Sequence, residues 1–179
     1  MHVHLQQVRA FHAKLGVAQP EYPETRALSE MDIVMRQALL FNSGQETFAA
    51  FASGDLPKIL AGLVDLAYNA LAAIACRGDD LLIVAVNWRQ NGSLLPVVKA
   101  LSDKINQCSS GETVDYSALY LLCEQLAKRF LNADFDGAFD SVHDNIMATT
   151  QTMGSTDYAQ RLQQQQLPKA PDLSANLYE

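Results

Sequence analysis

Two carboxylates in the middle of the chain occupy positions that favour shared chemistry. Glu46 lies eight residues before Gly54, and Asp65 lies eleven residues after it. Apolar residues recur at three- and four-residue steps on both sides of the break at residues 53–55, which predicts two antiparallel helices joined by a short turn. With a rise of about 1.5 Å per residue, both carboxylates lie roughly 12–17 Å from the turn, so they reach similar heights on facing helices.

The similar distances of Glu46 and Asp65 from the turn leave two interpretations open, because they do not fix the directions of the side chains. If both side chains point inward, they repel each other unless a cation or a proton lies between them. A hard divalent cation, Mg²⁺ or Mn²⁺, is the usual partner of an all-oxygen site. In the alternative, Glu46 faces solvent, and Asp65 accepts a hydrogen bond from a neighbouring helix.

The remaining periodicity predicts an all-α protein. Besides the hairpin, whose long first helix begins after the N-cap candidate Ser29, amphipathic patterns predict helices over residues 2–15, 94–106, 115–131 and 135–147. Gly54 suits a helix C-cap and Asp55 the following N-cap. We expect a single all-α domain over residues 1–150, with a helical insertion at residues 81–133.

Two segments are less clearly patterned. The apolar run at residues 81–86 suits either a buried strand or a helix, and we expect a helix because a lone strand would have no partner in a helical chain. Residues 151–179 are polar, with four consecutive glutamines at 163–166, and lack a core pattern. We expect them to form a loose tail or an arm that packs on another subunit.

Composition narrows the class of protein. The chain has 179 residues, 49% of them hydrophobic, and a net charge of −7. The acidic balance argues against a general nucleic-acid-binding surface, which needs clustered Lys and Arg. Three widely spaced cysteines and no visible signal peptide fit a reducing cytoplasm. The apolar run at residues 59–75 is short and interrupted by Asp65 and Asn69, so we expect a core helix and no membrane association.

Several segments together resemble one family. They are the hairpin, the opening helix VRAFHAKLGV at 8–17 followed by Pro20, Arg36 ahead of Leu39 and Leu40, the late helix AFDSVHDNIM at 138–147, and the tail KAPDL at 169–173. Their order and content resemble the all-α nucleoside triphosphate pyrophosphohydrolases of the MazG-like and phosphoribosyl-ATP pyrophosphohydrolase-like group. That group carries EExxE on one helix and ExxD on the next, which together bind Mg²⁺.

The resemblance implies a MazG-like helical bundle, completed as a homodimer or homotetramer. It implies hydrolysis of a nucleoside triphosphate to a monophosphate and pyrophosphate. Glu46 and Asp65 would hold Mg²⁺ or Mn²⁺, and Asn42 and Ser43 would be weaker oxygen ligands. The nucleotide would contact Arg36, Asn145 and Lys169.

This chain departs from the family at the acidic motifs. Asn42 and Ser43 stand where the first two Glu of EExxE are expected, and Gly62 stands where the Glu of ExxD is expected. The departures favour an alternative, a catalytically impaired relative that serves as a nucleotide-binding or protein-interaction scaffold. A third possibility is that carboxylates of the insertion replace the missing ones, with Asp79, Asp80 and Asp103 as candidates.

Overall fold

The computed structural model describes residues 1–150 and 157–178, which form seven α-helices and no β-strand. The prediction of an all-α protein is therefore confirmed for the described chain. The α-helices are α1 (Val3–Leu15), α2 (Glu30–Ser53), α3 (Leu56–Arg77), α4 (Leu94–Gln107), α5 (Thr113–Gln125), α6 (Phe135–Thr149) and α7 (Tyr158–Gln165). A π-helical turn, Leu126–Phe130, continues α5.

The ends of the hairpin helices form as predicted. The Ser29 side chain accepts a hydrogen bond from the backbone N–H of Asp32 and so caps α2. Gly54 ends α2 with a φ of 69°, a conformation that costs glycine little. The Asp55 side chain then accepts from the N–H of Lys58 at the start of α3. These bonds satisfy backbone groups that a helix end leaves without partners.

Replacing Ser29 by Ala is expected to lower the free energy of unfolding by about 1 kcal/mol, because an N–H of α2 loses its acceptor. For a chain of this size the melting temperature should fall by roughly 2–4 °C. Thermal unfolding followed by circular dichroism measures the change. Ser53→Ala is the matched control, because the Ser53 hydroxyl bonds only a carbonyl of its own helix. An equal loss in both variants would contradict the capping role.

The core is built around α3. This helix packs against α1, α2, α5 and α6, and almost every residue from Ile59 to Cys76 is buried. By length and composition α3 is apolar enough to cross a membrane. Its burial within the chain is what the core helix of a soluble protein shows, as the sequence predicted.

The predicted helix at residues 81–86 is wrong. Residues 79–90 have no regular secondary structure, and helix resumes only at Leu94. Val84, Val86 and Trp88 are partly buried against the core, and the residues between them are exposed. This alternation is typical of an extended chain with one face on a packed surface. The expectation failed because a single extended segment can be anchored by side-chain packing on helices without a partner strand.

The C-terminal residues described here pack against their own chain. In α7, Arg161 pairs with Asp32 of α2 at 3.2 Å. Further on, the backbone N–H of Asp134 donates to the carbonyl of Asn176, and Ala133 and Leu177 form an isolated β-bridge. The expected tail or arm therefore packs on its own subunit over residues 157–178. The same prediction also covered residues 151–156 and 179, which lie outside the described chain.

Candidate functional site

A groove of about 1040 Å³ lies between the hairpin and the C-terminal segment. One wall is the end of α2 from Glu46 to Ser53, and a second is the start of α3 from Asp55 to Asp65. The third wall is residues 167–174, which we call the strap. Leu173 anchors the strap in the core and is buried.

The hairpin brings Glu46 and Asp65 to the same part of this groove. Asn69 Nδ2 of α3 donates to Ser43 Oγ of α2 at 3.0 Å. About two turns nearer the hairpin turn, Gly62 packs directly on Thr47. Glu46 and Asp65 lie between these two contacts and both line the groove. The predicted similarity of their heights is confirmed by these contacts.

Asp65 is the unusual group in the groove. Asp65 is only 9% exposed, and its carboxyl oxygen Oδ1 has no hydrogen-bond partner among the described residues. Burial, and secondarily the negative charge of Glu46, raise the pKa of Asp65 to about 8. Glu46 itself is exposed. Glu46 is therefore a solvated carboxylate, and Asp65 is a desolvated carboxyl group with an unused oxygen.

Gly62 explains why the second helix lacks a further carboxylate. A Cβ atom built on Gly62 would lie 2.9 Å from Thr47 Cβ and 3.0 Å from Thr47 Cα. Such distances are shorter than van der Waals contact, so α2 and α3 touch here with no room for a side chain. A Glu at this position would require the two helices to move apart.

The weaker predicted ligands do not join the groove. Asn42 is exposed on α2 and does not line the groove. Ser43 is buried, and its hydroxyl oxygen accepts the hydrogen bond from Asn69. Neither Asn42 nor Ser43 lines the groove, so their role as neutral metal ligands stays a prediction that this arrangement does not favour.

The described residues do not form a cage of metal ligands. No group of three or more His, Cys, Asp or Glu side chains is placed to hold a metal in the part of the chain that is described. Mg²⁺, however, is often bound by one or two carboxylates, with water and substrate phosphates completing its shell. The unpartnered oxygen of Asp65 and the nearby Glu46 match this smaller requirement.

Two lysines add positive charge to the groove. Lys58 lines it from α3 and forms a 2.7 Å salt bridge with Asp55. Lys169 lines it from the strap and is exposed, as its predicted contact with nucleotide requires. Asp172 also lines the strap side, and hydrogen bonds from Ser174 lower its pKa. Lys58 and Asp172 were not singled out from the sequence, because only the packing of the strap on the hairpin makes them share a groove.

The other two predicted nucleotide contacts have structural roles. Arg36 is 2% exposed and donates to Cys76 Sγ at 3.0 Å, away from the groove. Arg36 therefore does not line this groove, and its assignment to nucleotide binding stays a prediction from the sequence. Asn145 Nδ2 donates to the carbonyl oxygen of Lys169 at 3.1 Å. Asn145 holds the strap against α6 and does not line the groove.

The insertion supplies no replacement carboxylates. Asp79 pairs with Arg77, Asp80 with the N-terminal ammonium of Met1, and Asp103 with Lys99. None of these three carboxylates lines the groove. The third possibility raised by the sequence is therefore wrong, since each candidate lies elsewhere with a partner of its own.

Comparisons with protein-family models, with curated proteins and with solved structures found no match. The fold and the groove define the described chain as an all-α protein with an acidic groove lined by the hairpin and by its own C-terminal strap. Membership of the pyrophosphohydrolase family stays a prediction from sequence motifs.

Proposed function

We propose that the protein is a metal-dependent hydrolase that cleaves a nucleoside triphosphate to a monophosphate and pyrophosphate in this groove. One observation carries the proposal. The carboxyl group of Asp65 is desolvated, lacks a partner on Oδ1 and shares the groove with Glu46. A buried carboxyl group without a partner costs stability, and such groups are concentrated at functional sites.

In this proposal, Glu46 and Asp65 hold one Mg²⁺ or Mn²⁺ ion, and substrate phosphates and water complete its coordination. When bound, the cation would polarise the phosphate oxygens and neutralise charge on the leaving group. Hydrolysis forms a bond from a water oxygen to the α-phosphorus and breaks its bond to the bridging oxygen. Pyrophosphate leaves, and the proton of the water passes to solvent at the open side of the groove.

The lysines would position the phosphates. The ammonium groups of Lys58 and Lys169 belong to opposite walls of the groove, one on α3 and one on the strap. A triphosphate lying along the groove would place oxygens near both, and such fixed charges stabilise negative charge in phosphoryl transfer. Asn145 ties the backbone carbonyl of Lys169 to α6, which holds this part of the strap beside the groove.

The alternative function is nucleotide binding without hydrolysis. It is favoured by Gly62, whose contact with Thr47 leaves no space for the carboxylate that the family motif places there. With two anionic ligands rather than four, the affinity for Mg²⁺ should be lower. The two functions differ in whether phosphate bonds are broken, so one assay separates them.

The test is release of pyrophosphate from a panel of canonical and modified nucleoside triphosphates, with Mg²⁺ or Mn²⁺. We expect metal-dependent release by the wild-type protein and at least a 100-fold loss in Glu46→Gln and Asp65→Asn, because each removes one of two charged ligands. Asp103→Asn is the matched control, since Asp103 is a carboxylate far from the groove and should leave the rate unchanged.

Two outcomes would overturn the proposal. Hydrolysis that persists in both carboxylate variants would place the chemistry elsewhere. Thermal stabilisation of the wild-type protein by nucleotide and metal without any release of pyrophosphate would establish the non-catalytic alternative.

A further inference from the structure

The extended segment, residues 81–90, leaves its backbone without partners. No backbone–backbone hydrogen bond joins it to any other described residue. Within the described chain, only the N–H groups of Leu81 and Leu82 have protein acceptors, which are side-chain oxygens of Asp80 and Ser117. An extended chain with unpaired N–H and C=O groups is a template for pairing with another strand.

The inner face of the extended segment is held in place. Trp88 packs edge-on against Phe130, with ring centroids 6.3 Å apart, and Val84 and Val86 pack on the core. The outer face carries Ile83, which is 85% exposed. The segment therefore resembles a strand that is already ordered on one side, so pairing would cost little further conformational entropy.

The charges at its two ends are opposite. Asp79 and Asp80 precede the segment, and Glu112 lies beside them through its contact with Arg77. Arg77 and the N-terminal ammonium pair with these three carboxylates, which leaves this end with one negative charge in excess. At the other end lies Arg89, and Gln90 Nε2 donates to the carbonyl of Arg129. Neither of these two arginines forms an ion pair with a described residue. An antiparallel partner of identical sequence would bring each basic end onto an acidic end.

We propose that the extended segment pairs antiparallel with the same segment of a second copy of this chain. A two-fold axis near Ala85 would place Gln90 of one copy opposite Asp80 of the other. Arg89 would then lie within one residue of that Asp80. The pairing is isologous, so every contact is made twice and the assembly closes as a dimer. A parallel pairing would place like charges together, and the charge pattern argues against it. This interface does not depend on the function proposed for the groove.

The first test is the oligomeric state of Ala85→Pro and of its matched control, Ala85→Thr. Sedimentation velocity should show a dimer for the wild-type protein and for the Thr variant. It should show a monomer for the Pro variant, because proline removes an N–H from the new ladder and restricts the backbone. A monomeric wild-type protein, or a dimer that survives in the Pro variant, would overturn the proposal.

The second test does not depend on the Pro variant folding. Under mild oxidation, Ala85→Cys should form a disulfide-linked dimer, because residues at the two-fold axis face each other. Gln90→Cys should not, since the two cysteines would be ten residues apart along the strands, or about 34 Å at about 3.4 Å per residue. The native cysteines are buried and serve as an internal background. Equal crosslinking at both positions, or none at residue 85, would contradict antiparallel pairing.

Discussion

Asp65→Asn is expected to raise the melting temperature of the metal-free protein at pH 8 by about 5–10 °C, while removing hydrolysis. Folding moves the pKa of this carboxyl group from 3.8 to about 8. Above pH 8 the folded protein must hold a buried charge that water would solvate in the unfolded chain. Such a shift costs several kcal/mol, and asparagine removes the cost with almost the same shape.

The effect should depend on pH in a defined direction. Because the folded-state pKa is raised, the folded protein binds more protons than the unfolded chain between about pH 4 and pH 8. The stability of the wild-type protein should therefore fall as pH rises through this range. The difference in melting temperature between Asp65→Asn and the wild-type protein should grow as pH rises, and it should be smallest near pH 4. Thermal unfolding in the presence of a chelator, at intervals of one pH unit, measures both curves.

Glu46→Gln is the control for this prediction. Glu46 is exposed, so its only expected effect on stability is through its repulsion of Asp65. Glu46→Gln should therefore change the melting temperature by less than a third of the change expected for Asp65→Asn. Mg²⁺ or Mn²⁺ should stabilise the wild-type protein and neither variant, since a ligand that binds only the folded state raises its stability. A lower melting temperature for Asp65→Asn at every pH would show that its carboxyl group stabilises the fold.

Gly62→Ala is expected to lower the free energy of unfolding by about 3 kcal/mol, a fall of roughly 6–12 °C in melting temperature. The new Cβ would lie 3.0 Å from Thr47 Cα and 2.9 Å from Thr47 Cβ. Relief requires α2 and α3 to separate along the buried length of the hairpin. The gain in helix propensity from alanine, at most about 1 kcal/mol, is smaller than this cost.

Gly44→Ala is the matched control, because Gly44 is another buried glycine of the same hairpin. Its added Cβ would meet only the end of the Ile105 side chain, at 3.0 Å, and Phe48 at 3.9 Å. A flexible side-chain end can shift, so we expect a change within about 1 kcal/mol. Thr47→Ala should partly rescue Gly62→Ala, since it removes the hydroxyl nearest the new Cβ. Equal losses at both glycines would show that helix separation is not the cause.

This contact also bears on the acidic motif. Because Gly62 has no room for a side chain, Gly62→Glu should destabilise the hairpin rather than add a carboxylate to the groove. The absence of a carboxylate at this position is therefore tied to how closely these two helices approach. Hydrolysis by such a groove would depend on substrate phosphates to complete the coordination of the metal.

Local signals in the sequence determined the helices. Ser29, Gly54 and Asp55 act on backbone groups within a few residues of themselves, so their types predicted where α2 ends and α3 begins. The height of Glu46 and Asp65 followed from helix rise and the position of the turn. The apolar periodicity likewise indicated an all-α chain before any contact was known.

Only the tertiary structure decided what the polar groups face. The burial of Asp65 depends on α2, α3 and a strap more than 100 residues further along the chain, and no local pattern predicts desolvation by such distant residues. The burial of Arg36 was not predicted for the same reason, since its buried partner Cys76 lies 40 residues away. Residues 81–86 were misassigned because a short apolar run suits either conformation until the surface beneath it is known. Spacing within an element is a property of the local backbone, whereas solvation is a property of the whole packed chain.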